Sequence, residues 1–227
     1  MRVTAVILAA GRGHRMGGSD SKTFLPIAGQ PLLAHAFRAF ATSPMIDEII
    51  LVVAPDEEDR VRGMLPPAAL SISFVPGGDV RRDSSIAGVE AASGEIVLIH
   101  DGARPFPSPA LIERVIRGAV EHGACAPVLP VADTLRPIAD DGLLLPDPVD
   151  RRGLVRIQTP QGFRASLIRR ALPLSPPDVT DDAGAVLALG GEVWGVTGEP
   201  TNLKVTVPGD LPLAEAIAQR LQSRNAL

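Results

Sequence analysis

Five short apolar runs, at residues 3–9, 48–53, 71–75, 96–100 and 125–129, alternate with helix-like segments at 31–42, 56–64, 83–91 and 108–122. This alternation constrains the fold more than any other feature. Strands so apolar must be covered on both faces, and single helices between them are the connections that parallel strands require. The pattern predicts an α/β fold, doubly wound and Rossmann-like, around a mostly parallel sheet. In the helix at 31–42, Leu32, Leu33, Ala36, Phe37 and Phe40 fall on one stripe behind a proline at the first turn, as an amphipathic helix packed on a sheet requires.

From Asp133 onward the pattern changes. Residues 134–155 mix short apolar pieces with Pro137, Pro146, Pro148 and an Asp140-Asp141-Gly142 turn, which predicts a projecting β-arm at about 133–156. An arm cannot bury Leu143, Leu144, Leu145 and Leu154 by itself, so a partner is expected, and a second copy making a homodimer is the obvious one. Helices at 165–172, 181–189 and 211–221 and strands at 192–197 and 203–205 complete the expected order. With neither internal repeat nor linker, the 227 residues read as a single domain.

Composition removes several classes of function. A formal net charge of -4, with no basic run, leaves no field to draw nucleic acid. One cysteine, Cys125, and four scattered histidines cannot build a disulfide framework or a structural zinc site. The apolar run at 3–9 is too short for a membrane span or secretion signal, so a soluble, cytoplasmic protein is expected. Of the 22 basic residues all but Lys22 and Lys204 are arginines. Where arginine serves almost everywhere, a compact point charge at two positions suggests crowded phosphate contacts.

Ligands of an open parallel sheet bind beyond the carboxyl ends of its strands. The loop after the first strand, Ala9-Ala10-Gly11-Arg12-Gly13-His14-Arg15-Met16-Gly17-Gly18-Ser19-Asp20-Ser21-Lys22, matches neither common phosphate motif. A dinucleotide fingerprint needs glycine where Met16 stands, and a Walker loop needs lysine where Ser19 stands. What remains is a glycine-rich loop offering backbone N–H groups to an anion, with Arg15 and Lys22 able to fold over it. A second loop, Gly77-Gly78-Asp79, leads to Ser84. Its Asp79 and Ser84 suit a base edge, although Asp79, Asp83 or Ser84 serve equally well as helix caps. The fourth strand ends in His100-Asp101-Gly102-Ala103-Arg104-Pro105. There Asp101 can orient a hydroxyl or a metal and Arg104 can meet phosphate, or the two can form an internal ion pair. His100, His14 and Cys125 read as structural residues.

These segments, followed by Pro130-Val131-Ala132-Asp133-Thr134, Val149-Asp150-Arg151, Gln158-Thr159-Pro160-Gln161, Thr180-Asp181-Asp182 and Asn202-Leu203-Lys204-Val205-Thr206, resemble in order the 2-C-methyl-D-erythritol 4-phosphate cytidylyltransferase family. The resemblance covers nearly the whole chain, although its first motif is common to many sugar nucleotidyltransferases. It implies that Ala9, Ala10, Gly11, Gly13, Gly78, Asp79 and Ser84 hold the nucleotide CTP, and that Arg15 and Lys22 stabilise the transition state. It implies further that Lys204 contacts phosphate, and that Asp101, Arg104, Thr134, Thr159 and Thr180 line a pocket for a small alcohol phosphate. Arg151 would reach that pocket from a partner's arm. Mg²⁺ would arrive with CTP, and Asp101 is the carboxylate expected to meet it. Gly102, Ser21, Thr23 and Asp182 depart from the family pattern. The alternatives are a cytidylyltransferase for a pentitol phosphate such as ribitol 5-phosphate, and a nucleotide-binding regulator without turnover.

Overall fold

The computed structural model describes residues 1–11 and 21–225, with side chains as far as 223. Its main sheet contains β1 (Val3–Leu8), β4 (Glu48–Val53), β5 (Ser71–Pro76), β6 (Ile96–Asp101), β7 (Ala124–Pro130), β8 (Val155–Ile157), β9 (Gln161–Arg164) and β10 (Trp194–Thr197). A separate two-stranded hairpin is made by β2 (Pro26–Ile27) and β3 (Gln30–Pro31). The sheet order is β10-β7-β9-β6-β1-β4-β5, with β8 beside β7.

β1, β4, β5 and β6 pair in parallel; the chain steps outward from β1 through β4 to β5 and then crosses back to β6 on the other side of β1. Their carboxyl ends therefore flank a topological switch point, where open sheets hold ligands. The sequence pattern does not show β9, which runs antiparallel between β6 and β7. Four residues with glycine inside and polar Gln161 and Arg164 at the ends lack the apolar run that betrays a central strand. Gly162 is required there because a Cβ would come within 2.7 Å of Val115 Cγ1 on the overlying helix.

Alternate residues of each strand enter opposite layers, as the two-residue period of a strand demands. Ala5, Ile7, Leu51 and Leu98 pack beneath α1 (Leu32–Ala41), α2 (Glu58–Met64) and α4 (Pro109–His122). Val6, Ile50, Val97 and Ile99 pack beneath α3 (Arg81–Ala91), α5 (Ala165–Leu174) and α6 (Asp182–Ala188). Phe37, Phe40 and Leu33 are fully enclosed, each contributing ~1.5–3 kcal/mol to folding by leaving water. A smaller cluster joins Ile27 of the β2–β3 hairpin, Phe106, Val205 and Ala214 of the terminal helix α7 (Leu211–Asn225). Glu215 of α7 accepts a bond from Ala28 N at 2.8 Å. That hairpin turn places Ala28 and Gly29 at positive φ, 48° and 76°.

Most element ends lie within a residue or two of expectation, which is the ordinary ambiguity of helix and strand termini. The expected strand at 203–205 is absent. Val205 N donates to Ala103 O at 2.9 Å, and the segment is otherwise held by side chains.

The arm is a loosely paired hairpin, bridged at Leu135 with Val149 and at Ile138 with Leu144. From 132 to 157 every residue except Ala139 is exposed. Ile138, Leu143 and Leu144 show 63%, 64% and 62% of their surface, far more than a soluble chain leaves uncovered in one segment.

Candidate active site

An open cavity of about 800 Å³ lies at the carboxyl ends of β1, β5 and β6, within the size range of small-ligand sites. Ala9, Ala10 and Gly11 form one wall, Gly78, Asp79 and Ser84 another, and Asp101, Lys22 and Lys204 reach it from three separate segments. Gly13 and Arg15 lie outside the described residues, as does His14.

Local chemistry explains each wall. Gly77 allows two loops to meet, since a Cβ there would come within 2.3 Å of Ala10 Cβ and 2.9 Å of Ser84 Oγ. Ser84 Oγ accepts a bond from Gly78 N at 3.2 Å. Ser84 therefore fastens the glycine loop and does not cap α3, whose N-cap position is Val80. Asp79 is exposed at the rim. On the opposite side, Ser21 Oγ donates to Gly11 O at 3.1 Å and bonds Thr23 Oγ1 at 2.8 Å. These two buried hydroxyls join the ends of the glycine-rich loop and set the single 3-10 turn, Lys22–Phe24, that carries Lys22. The departures at 21 and 23 thus have a structural role.

Asp101 is the electrostatic centre. Arg81 Nε donates to its Oδ1 at 3.2 Å, Lys204 Nζ lies 2.8 Å from Oδ2, and Arg104 Nε lies 4.0 Å from Oδ2. Burial alone would raise the carboxyl pKa, but Arg81, Lys204 and Arg104 outweigh it and hold Asp101 well below the usual carboxylate range. It stays ionised throughout the neutral range. Arg81 also donates to Asp182 Oδ2 at 2.7 Å, tying the end of β6 to the start of α6. Its charge is reinforced despite burial by those two carboxylates. The sequence reading assigns Arg81 no role, although it lines the cavity. Its position beside a glycine loop was the available signal. Gly102 follows Asp101 where a Cβ would meet Leu8 O at 2.9 Å and Leu33 Cδ1 at 3.2 Å, which accounts for glycine here.

Four expected pocket residues lie elsewhere. Arg104 donates through Nη1 to Asn202 O at 2.8 Å, and its side chain is only 11% exposed, so it acts behind the cavity wall. The expected Asp101–Arg104 pair exists at the limit of contact, but Arg81 and Lys204 are the closer partners. Thr159 is buried, its Oγ1 accepting from Asp101 N at 3.1 Å and donating to His100 Nδ1 at 3.2 Å. Thr134 is on the exposed arm and Thr180 is exposed just before α6, so neither lines this chain's cavity. Arg151 also sits on the arm, donating to Ala132 O.

His100 and Cys125 are structural. Burial pushes the His100 pKa down to about 4, and its Nε2–H donates to Arg104 O at 2.9 Å. This hydrogen-bond pattern assigns the neutral tautomer. Burial raises the Cys125 thiol to about 12, and Sγ donates to Val115 O at 3.1 Å. Neither is a poised base or nucleophile. Among the described residues no cluster of His, Cys, Asp and Glu could enclose a metal, and no helix is long and apolar enough to cross a membrane.

Comparison with known proteins agrees with this geometry. Residues 3–220 match the family model described as 2-C-methyl-D-erythritol 4-phosphate cytidylyltransferase. A protein of that name from Pelotomaculum thermopropionicum is 40% identical, the match covering 99% of this chain and 98% of the relative. Another from Saccharopolyspora erythraea is also 40% identical, over 96% and 99% of the two chains. The crystal structure of the enzyme of that name from Thermus thermophilus superposes with a TM-score of 0.76 at 38% identity, covering 96% of this chain and 100% of that one. The structure of 4-diphosphocytidyl-2C-methyl-D-erythritol synthase from Anaerococcus prevotii gives a TM-score of 0.83 at 32% identity, covering 96% of each chain. With the match running from the first strand into the terminal helix, the chain belongs to the 2-C-methyl-D-erythritol 4-phosphate cytidylyltransferase family.

Proposed function

We propose that this chain joins CTP to 2-C-methyl-D-erythritol 4-phosphate, forming 4-diphosphocytidyl-2-C-methyl-D-erythritol and pyrophosphate in isoprenoid biosynthesis. The observation that carries the reading is a cavity at the sheet's switch point lined by Lys22, Arg81, Asp101 and Lys204, with Arg81 and Lys204 paired to Asp101, in a chain of this family. An acceptor phosphate oxygen attacks the α-phosphorus of CTP, one P–O bond forms, and the bond to the departing pyrophosphate breaks. A phosphate monoester is already largely anionic at neutral pH. No general base is needed, and His100, next to Asp101, is buried and neutral. Catalysis then rests on positioning and on cations aimed at developing charge.

Ala9, Ala10, Gly11 and Gly13 with Gly78, Asp79 and Ser84 hold the nucleotide. Arg15 and Lys22 stabilise the transferring phosphoryl group, and Lys204 and Asp101 orient the acceptor. Among the described residues two carboxylates line the cavity, Asp101 among the cations and Asp79 at the rim. This donor set fits a Mg²⁺ ion that keeps phosphate oxygens and water as most of its ligands. Asp101 would hold it, and the ion would supply neutralisation of triphosphate charge. The exposed leucines support a homodimer through the arm, with Thr134 and Arg151 delivered to the neighbouring site. The buried, unpaired Cys125 suits a reducing cytoplasm.

The small side chains of Ala9 and Ala10 and the Gly78-Asp79 backbone leave space for a pyrimidine and a reader of its amino group. In a pyrophosphate-release assay with matched Mg²⁺, CTP and 2-C-methyl-D-erythritol 4-phosphate should give the fastest turnover. Equal rates with UTP or ATP, or faster rates with ribitol 5-phosphate, contradict the assignment of substrates.

A further inference from the structure

Lys204 lies in a segment with neither helix nor strand, yet its ammonium must be placed accurately beside Asp101. What holds that segment is the amide of Gln158. Its Oε1 accepts from Glu199 N at 3.0 Å, and its Nε2 donates to Glu199 O at 2.9 Å and to Asn202 O at 3.2 Å. A buried side chain thus bonds the backbone at both ends of the 199–202 turn. Asn202, itself fully buried, returns a bond from Nδ2 to Thr159 O at 2.8 Å. Gly198 allows this approach, since a Cβ there would stand 2.6 Å from Gln158 Oε1. The adjacent residue, Thr159, receives Asp101 N. Both members of the Lys204–Asp101 pair are therefore anchored to consecutive residues at one point of the chain.

We infer that Gln158 is a positioning residue for the cytidylyl transfer, with its amide setting Lys204 while the neighbouring Thr159 hydroxyl sets Asp101. The inference rests on the proposed reaction for its kinetic consequence, but its structural consequence stands apart from it. Gln158 does not itself line the cavity, so its effect passes through Lys204. The turn has other support: Glu199 Oε1 accepts from Ser108 Oγ and Arg114 Nη2, both at 2.7 Å, and Asp210 Oδ2 accepts from Thr206 N at 2.7 Å. Loss of the Gln158 amide should then loosen the segment without unfolding the protein.

The test compares Gln158→Ala, Gln158→Glu and Lys204→Ala with the double variant Gln158→Ala/Lys204→Ala. Misplacement of a reacting group by about 1 Å typically costs on the order of 10²-fold, so Gln158→Ala should lower kcat about 10- to 100-fold with the KM for CTP unchanged. Added to Lys204→Ala it should cost less than about twofold, because the two substitutions remove one function. In Gln158→Glu an ionised carboxylate faces the carbonyls of Glu199 and Asn202, whereas a protonated one restores a donor. Its activity relative to wild type should rise as pH falls.

Independently of turnover, amide hydrogen exchange at Glu199 and Val205 should accelerate in Gln158→Ala at an almost unchanged melting temperature. A full additional loss in the Lys204→Ala background overturns the inference, as does unaltered exchange at those amides. Wild-type protein inactive toward CTP but showing the exchange effect would overturn the proposed reaction while leaving the placement of Lys204 by Gln158 standing.

Discussion

Replacing Lys22 by alanine is expected to lower kcat by about 10²–10³, while CTP affinity changes by only a few-fold. Lys22 lines the cavity on a turn fixed by the Ser21 and Thr23 hydroxyls, so the backbone that carries its charge is set before substrate arrives. A preorganised cation does most where negative charge grows during reaction, whereas on the proposed reading a ground-state triphosphate would keep its contacts to the glycine-rich loop. Arg15→Ala is expected to behave in the same way. Steady-state kinetics at saturating CTP, beside equilibrium CTP binding, separate the two effects. A variant that loses affinity yet turns over normally at saturation would reduce Lys22 to a binding residue.

The arm carries the second large effect. Arg151→Ala alone and Lys22→Ala alone should each be nearly inactive, and mixing the two subunits should restore activity. If Arg151 serves the neighbouring chain, a mixed dimer has one site with both residues intact and one with neither. Random assortment makes about half of the dimers mixed, so about a quarter of wild-type activity should return. The physical basis is the run from 132 to 157, in which Ile138, Leu143 and Leu144 lie open to water and Arg151 is placed outside its own chain's cavity. Dimers shown to be mixed by tagged co-purification, yet no more active than their parents, would mean that Arg151 acts within its own chain or has no part in the reaction.

How much of this was legible in the sequence follows from what each residue's neighbours have to be. Strands β1, β4, β6 and β7 are readable because a buried parallel strand needs an unbroken apolar run, and the stripe of Leu33, Phe37 and Phe40 marks α1 for the same reason. β9 is not readable: its place is created by Gly162 packing against Val115 and by Gln161, whose Nε2 donates to Asp181 Oδ2 at 2.7 Å. These are contacts between distant parts of the chain. At the site, Asp101, Lys22 and Lys204 are visible as charges at strand ends or as exceptions to an arginine-rich composition. The side on which a side chain emerges is not visible. Arg104 and Thr159 stand in site-like motifs, but the first turns back to Asn202 O and the second to Asp101 N and His100. Arg81 does the opposite, leaving the first turn of a helix to line the cavity and join Asp101 to Asp182.

The central claim is that the acceptor's own phosphate attacks the α-phosphorus of CTP among these cations. The direct measurement uses 2-C-methyl-D-erythritol 4-phosphate labelled with ¹⁸O in its phosphate oxygens, followed by mass spectrometry of both products. The account predicts that all of the label remains in the CDP-alcohol, including the new bridging oxygen, and that released pyrophosphate is unlabelled. Label in the pyrophosphate, or a product in which the bridge has lost it, would contradict the mechanism.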